Sequence, residues 1–276
     1  ASEVTGIGAV GHQCSVLLKG GQTSWRPYRD LRTTGLLRQD MGAHRASNLT
    51  TPMGGSRGLK LAEMTTVAPV SKQMTTSDPL VWIDCEMTGL DLSADALIEV
   101  AVVVTDYELK PLAEGIDVLI KPPAAALEQM DDYVRTMHTS SGLLTALEDG
   151  VTMETARATV LDYVTSLVPE PRTAQLAGNS VGTDKAFLAR DMPELIQHLH
   201  YRIVDVSSLK ELAKRWYPRT FFHAPKKVGG HRALADILES IDELRYYREV
   251  LFPDGEGPSS QECKDAAERI LRTPTR

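Results

Sequence analysis

The segment Leu80-Val81-Trp82-Ile83-Asp84-Cys85-Glu86-Met87-Thr88-Gly89-Leu90 constrains this chain most. It reads as an apolar β-strand carrying two carboxylates two positions apart. Side chains on a strand alternate with period 2, so Asp84 and Glu86 point to one face. Adjacent carboxylates on an apolar strand repel each other and resist burial. A divalent cation removes both penalties, and ligands that are all oxygen favour a hard ion such as magnesium or manganese. An edge strand that holds two acids in water would carry the same pattern, so the strand needs company before it implies a site.

Around this strand the chain divides by composition. Residues 1–78 hold nine Lys/Arg and five Asp/Glu, a net of +4, whereas 79–276 hold 21 basic and 32 acidic residues, a net of −11. Residues 1–78 show no sustained periodicity and contain Gly20-Gly21 and Gly54-Gly55-Ser56, so we expect a largely disordered leader. Met74 is the expected natural start, because Met74-Thr75-Thr76-Ser77-Asp78 leads directly into the first strand. A mitochondrial transit segment is the alternative, since the leader is Arg-bearing and poor in acids. Location is otherwise expected to be cytoplasmic. Three distant cysteines, Cys14, Cys85 and Cys263, fit neither a disulfide framework nor a zinc site. No apolar run has membrane-spanning length, and no membrane partner is expected.

From residue 79 the pattern is that of an α/β domain ending near 252. Residues 96–105 and 116–120 read as β-branched strands following the first, in an antiparallel meander. Helical periodicity runs through 127–167, then 175–179 and 201–206 read as strands. Helices are expected at 182–190, 207–216 and 232–251, a linker at 253–258, and a peripheral helix at 259–272 in the tail that runs to 276. Strands first, then strand–helix alternation, imply a mixed five-stranded sheet flanked by helices.

Three further polar positions stand out. Asp184 follows a strand-to-helix turn, where an acid also complements the helix dipole. Asp236 falls off the apolar stripe Leu234, Ile237, Leu238, Ile241 and Leu244, which by itself implies solvent. His231 follows Gly229-Gly230; at ~100° per residue an ideal helix would separate it from Asp236 by about 140°, so the two share a face only if His231 lies in the loop. Singly, each has an ordinary explanation. Together, Asp84, Glu86, Asp184, Asp236 and His231 supply enough ligands for two hard ions and one general base.

Four motifs in order then resemble the oligoribonucleases of the DEDDh 3′-to-5′ exonuclease family. They are Trp82 to Leu90, Ala177-Gly178-Asn179-Ser180, Leu199 to Ser207, and His231-Arg232-Ala233-Leu234-Ala235-Asp236-Ile237. The resemblance covers about 79–252. It implies a ribonuclease H-like fold, a working homodimer, and hydrolysis of very short RNA, dinucleotides above all, to 5′-mononucleotides. It also implies two Mg2+ or Mn2+ ions on Asp84, Glu86, Asp184 and Asp236, with His231 as base. Leu90 would wedge between two bases, and the partner's Tyr201 would cap the 3′ base. Ser180, His138, Ser207 and the partner's Arg202 would grip the 5′ phosphate. Tyr133 stands where many relatives carry Trp, and it too can stack. A site that encloses a dinucleotide needs no basic track, which agrees with the net −11; long nucleic acid would need phosphate neutralisation.

Overall fold

The computed structural model describes residues 78–226 and 232–272. The expected leader, and His231 with the glycines before it, lie outside the described residues.

Five strands form one sheet: β1 (Leu80–Met87), β2 (Leu97–Thr105), β3 (Ile116–Leu119), β4 (Gln175–Gly178) and β5 (His200–Asp205), in the order β3-β2-β1-β4-β5. The first three strands pair antiparallel, whereas β1, β4 and β5 run parallel. Between β3 and β4 lie α1 (Ala124–Glu128), α2 (Asp132–Ser140), α3 (Leu143–Ala146) and α4 (Met153–Leu167). Next come α5 (Gly182–Asp191), α6 (Pro193–His198), α7 (Val206–Trp216), α8 (Pro218–Phe222), α9 (Ala233–Leu251) and α10 (Ser260–Arg272).

Strand alternation sorts the core into two layers. Val81, Ile83 and Cys85 of β1 face a cluster with Val160 and Val164 of α4, Phe187 of α5 and Leu195 of α6. Trp82, with Ala101 and Val103 of β2, faces the other way, onto Ala213 of α7 and Ile237, Ile241 and Tyr247 of α9. Each large apolar side chain removed from water contributes about 1.5–3 kcal/mol, so both layers are strongly driven. The Trp82 indole N–H is satisfied by Thr105 Oγ1 at 3.0 Å. By the same alternation, Asp84 and Glu86 follow Trp82 toward α9.

Several expectations are corrected in detail. The periodic stretch 127–167 is not continuous helix: Gly142 takes a left-handed φ of 77° and a 3₁₀ turn (Leu147–Asp149) follows α3. Two short helices, α6 and α8, start on Pro193 and Pro218, whose fixed φ suits a first turn. On α9 Ile237, Ile241 and Leu244 of the expected stripe are buried, but the buried face is wider on one side and leaves out Leu238. Leu238 is exposed, while Ser240, Glu243 and Tyr247 are buried.

Candidate active site

Asp84, Glu86 and Asp236 converge where β1 runs out under the first turn of α9. One carboxylate oxygen from each lies within 4.8 Å of the other two. All three are half-buried. Asp236, which its place off the stripe assigned to solvent, is instead turned toward the strand. Asp184, the third residue of α5, is buried, and its Oδ1 accepts from the Cys85 N–H at 3.0 Å. That bond ties it to the β1 backbone at Cys85; it is not one of the three carboxylates that meet within 4.8 Å.

Electrostatics distinguishes this cluster. Burial pushes the Glu86 carboxyl up to about 8; negative charge on Glu99, Asp236 and Asp184 adds to this, and Arg232 opposes it. Burial also raises Asp184 to about 6, against hydrogen bonds from its own N–H and that of Cys85. The Cys85 thiol is pushed well up by burial and by Asp184, Asp84 and Glu86. The chain thus gathers carboxylates that resist simultaneous ionisation. An all-oxygen donor set in that condition fits a hard divalent cation, which would restore every carboxylate to its charged form.

Glu99 was not anticipated, although a charge within Leu97-Ile98-Glu99-Val100-Ala101-Val102-Val103-Val104 is itself a signal. It pairs across the strands with Glu86 and is fully buried. Its carboxylate meets Arg232 at 2.8 Å and accepts from the Ala233 N–H at 3.2 Å. Asp117 holds the same guanidinium at 3.2 Å. A buried acid therefore caps α9 three residues before Asp236, and anchors the residue that follows His231.

His138, expected at a 5′ phosphate, lies beside Met87 and Glu86. It is fully buried on α2, its Nε2 donates to the Met87 carbonyl at 2.9 Å, and its Nδ1 lies 3.9 Å from Glu86 Oε2.

Ser180 and Ser207 do meet, at the ends of β4 and β5. Ser180, with a left-handed φ of 52°, donates its N–H to Asp205 Oδ1 at 2.8 Å and Ser207 Oγ at 2.7 Å. The two hydroxyls are 2.9 Å apart. Behind them lies a buried network no sequence pattern announced. Asn179 Nδ2 donates to Ser240 Oγ at 2.8 Å and to Glu243 Oε2 at 3.1 Å; Lys210 pairs with Glu243 at 2.9 Å. Ser240 Oγ donates to the Asp236 carbonyl at 2.7 Å. Because that carbonyl and the Glu243 carboxylate only accept, Asn179 Oδ1 must face Ser207, whose proton it takes at 3.2 Å. Ser207 then has only lone pairs to offer Ser180, and the Ser180 hydroxyl is the donor of the pair.

The expected stacking residues are all exposed. Leu90 is 56%, Tyr133 57% and Tyr201 71% accessible, which excludes a core role for Leu90. Tyr201 and Arg202 lie together on the edge strand β5, the guanidinium 5.4 Å from the ring centre.

A mixed sheet of this order, flanked by helices on both faces, with clustered acids at the end of its first strand, defines the ribonuclease H-like exonuclease class. The family model described as "Exonuclease" matches residues 81–244. An oligoribonuclease of Streptomyces avermitilis is 62% identical over 71% of this chain and 98% of its own length. That of Leifsonia xyli is 56% identical over 71% and 95% respectively. A crystal structure of E. coli exonuclease I with an oligonucleotide shares the fold, at TM-score 0.51 and 14% identity over 63% of this chain and 41% of that one. This chain belongs to the oligoribonucleases of the exonuclease family, and is a nuclease.

Proposed function

We propose that the protein is a 3′-to-5′ exoribonuclease that hydrolyses dinucleotides and other short oligoribonucleotides to 5′-mononucleotides. The observation that carries this is the convergence of Asp84, Glu86 and Asp236 within 4.8 Å, in a chain whose relatives are oligoribonucleases. Two divalent cations, magnesium or manganese, would activate water and neutralise charge on the leaving oxygen. Asp84, Glu86 and Asp236 hold them from β1 and α9, and Asp184 completes the set from α5. His231 takes the proton of the attacking water, as an imidazole can near neutral pH.

Substrate length is set by the exposed apolar groups. Leu90 wedges between the two bases, Tyr133 stacks nearby, and Tyr201 caps the 3′ base from a partner protomer. Stacking tolerates any base, since each has a π-face. Tyr201 and Arg202 are exposed on the β5 edge, as a residue reaching a partner must be, and this supports a homodimer. Ser180, His138, Ser207 and the partner's Arg202 receive the 5′ phosphate. The working compartment is the cytoplasm.

The test compares turnover of a 5′-phosphorylated RNA dinucleotide with that of a longer RNA, in manganese or EDTA, for wild type and Asp84→Ala. Metal-dependent cleavage that favours the dinucleotide and disappears in the variant is expected. Equal cleavage of the longer RNA would refute the dinucleotide preference. Undiminished turnover in Asp84→Ala would refute the metal assignment. His231→Ala is expected to lower kcat far more than it raises KM.

A further inference from the structure

The loop after β1 carries Leu90, and it is braced from within, from Gln129, whose Nε2 donates to the Ala94 carbonyl at 2.5 Å, and from α5. Within the loop, Thr88 Oγ1 donates to Asp95 Oδ1 at 2.9 Å, and the Asp91 N–H donates to Asp95 Oδ2 at 2.8 Å. The chain passes so close at Gly89 that a Cβ there would stand 2.7 Å from Asp95 Cγ. These contacts shape the loop but do not place it. Placement from the helix that carries Asp184 comes from Arg190. Its Nη1 donates to the carbonyls of Leu92 and Asp95, the latter at 2.9 Å. Its Nε and Nη2 grip Asp191 as a fork, at 2.8 and 2.6 Å. Its guanidinium also lies 4.9 Å from the ring centre of the buried Phe187.

We propose that Arg190 is a specificity-positioning residue that fixes the Leu90 wedge relative to the metal-binding carboxylates, and so sets the preference for dinucleotides. The inference rests on the dinucleotide reading above. Asp184 and Arg190 lie on the same helix, one turned to the acids of β1 and the other holding the wedge loop by two carbonyls. The span from the scissile phosphate to the wedge is therefore built into one rigid element. An exposed ion pair contributes little stability, so Arg190 gains its importance from geometry. Lysine retains the charge but offers one point where the planar fork spans three groups.

The experiment measures kcat/KM for a 5′-phosphorylated RNA dinucleotide and a five-nucleotide RNA, with manganese, for wild type, Arg190→Lys, Arg190→Gln and Leu90→Ala. Hydrolysis of thymidine 5′-(4-nitrophenyl phosphate), which has a single base and bypasses the wedge, is the control. A displacement of about 1 Å is expected to cost both Arg190 variants roughly tenfold in dinucleotide preference, mostly through KM, with the control substrate within about twofold of wild type. Leu90→Ala should lose the preference as well. If Leu90→Ala loses it and the Arg190 variants keep it, the brace is refuted and the wedge stands. If Leu90→Ala keeps it, the wedge reading fails and takes the brace with it. A loss on all three substrates in both Arg190 variants would mark a general structural role and overturn the proposal.

Discussion

Two polar clusters lie against α9, and they differ in a way that separates a ligand site from a scaffold. At Asn179, Ser240, Glu243 and Lys210 each polar contact has a partner of the right type, and the Glu243 charge is matched by Lys210. At Asp84, Glu86, Asp184 and Asp236 like charges are gathered, and the Glu86 carboxyl is driven up to about 8. In the first cluster opposite charges are matched; the second gathers charge of one sign and is compatible with a divalent cation. Burial and polarity alone do not distinguish them; the sign of the neighbouring charge does.

The largest effect should come from breaking the acidic cluster. Asp84→Ala and Asp236→Ala should each take dinucleotide turnover to background while leaving the far-ultraviolet circular dichroism unchanged. Turnover near wild type in either would erase the distinction between the clusters. Breaking the charge-matched cluster should act on stability instead. Glu243→Ala strands Lys210 and Asn179, and removing one partner of a buried ion pair costs about 3–5 kcal/mol, read by urea unfolding. A loss below about 1 kcal/mol would show that the network is not a scaffold.

Protons should separate the two clusters further. Folded Glu86 keeps its proton up to about 8, whereas unfolded glutamate releases it near 4.5. The folded state therefore binds more protons in that window, and metal-free stability should fall as pH rises from about 4.5 to about 8. Manganese should remove the slope, and Glu86→Gln should reduce it without metal, leaving the share of Asp184, whose carboxyl is raised to about 6. Thermal melts in EDTA across that range check this, and a melting temperature that rises with pH would contradict it. The smallest effect is expected away from both clusters. Leu238 is exposed on α9, so Leu238→Gln should change stability by less than about 0.5 kcal/mol.

Period carried most of the fold. β1 and β2 were legible because alternation and β-branched residues crowd short segments, and the order of strands then helices implied the mixed sheet. α9 shows where period misleads. The apolar stripe through Leu238 was plausible by residue type, yet the buried face runs through Ser240, Glu243 and Tyr247. Ser240 and Glu243 are buried because Asn179, 61 and 64 residues away, pairs with them. A partner at that distance leaves no local trace. Asp236 was misread singly for the same reason, since it faces a strand 152 and 150 residues earlier in the chain, at Asp84 and Glu86. Glu99 was hidden by its apolar neighbours, because its reason lies at Arg232 and Ala233.

The thiol of Cys85 has a practical consequence. It is buried on the face of β1 opposite Asp84 and Glu86, and burial first, then the charges of Asp184, Asp84 and Glu86, keep it protonated, which makes it a poor nucleophile. Cys263, on α10, is exposed. Among the described residues, a maleimide dye would therefore attach outside the exonuclease domain and leave the acids of β1 unmodified. With Cys14 replaced by serine, the chain would offer a single attachment point for tracking the enzyme while it works.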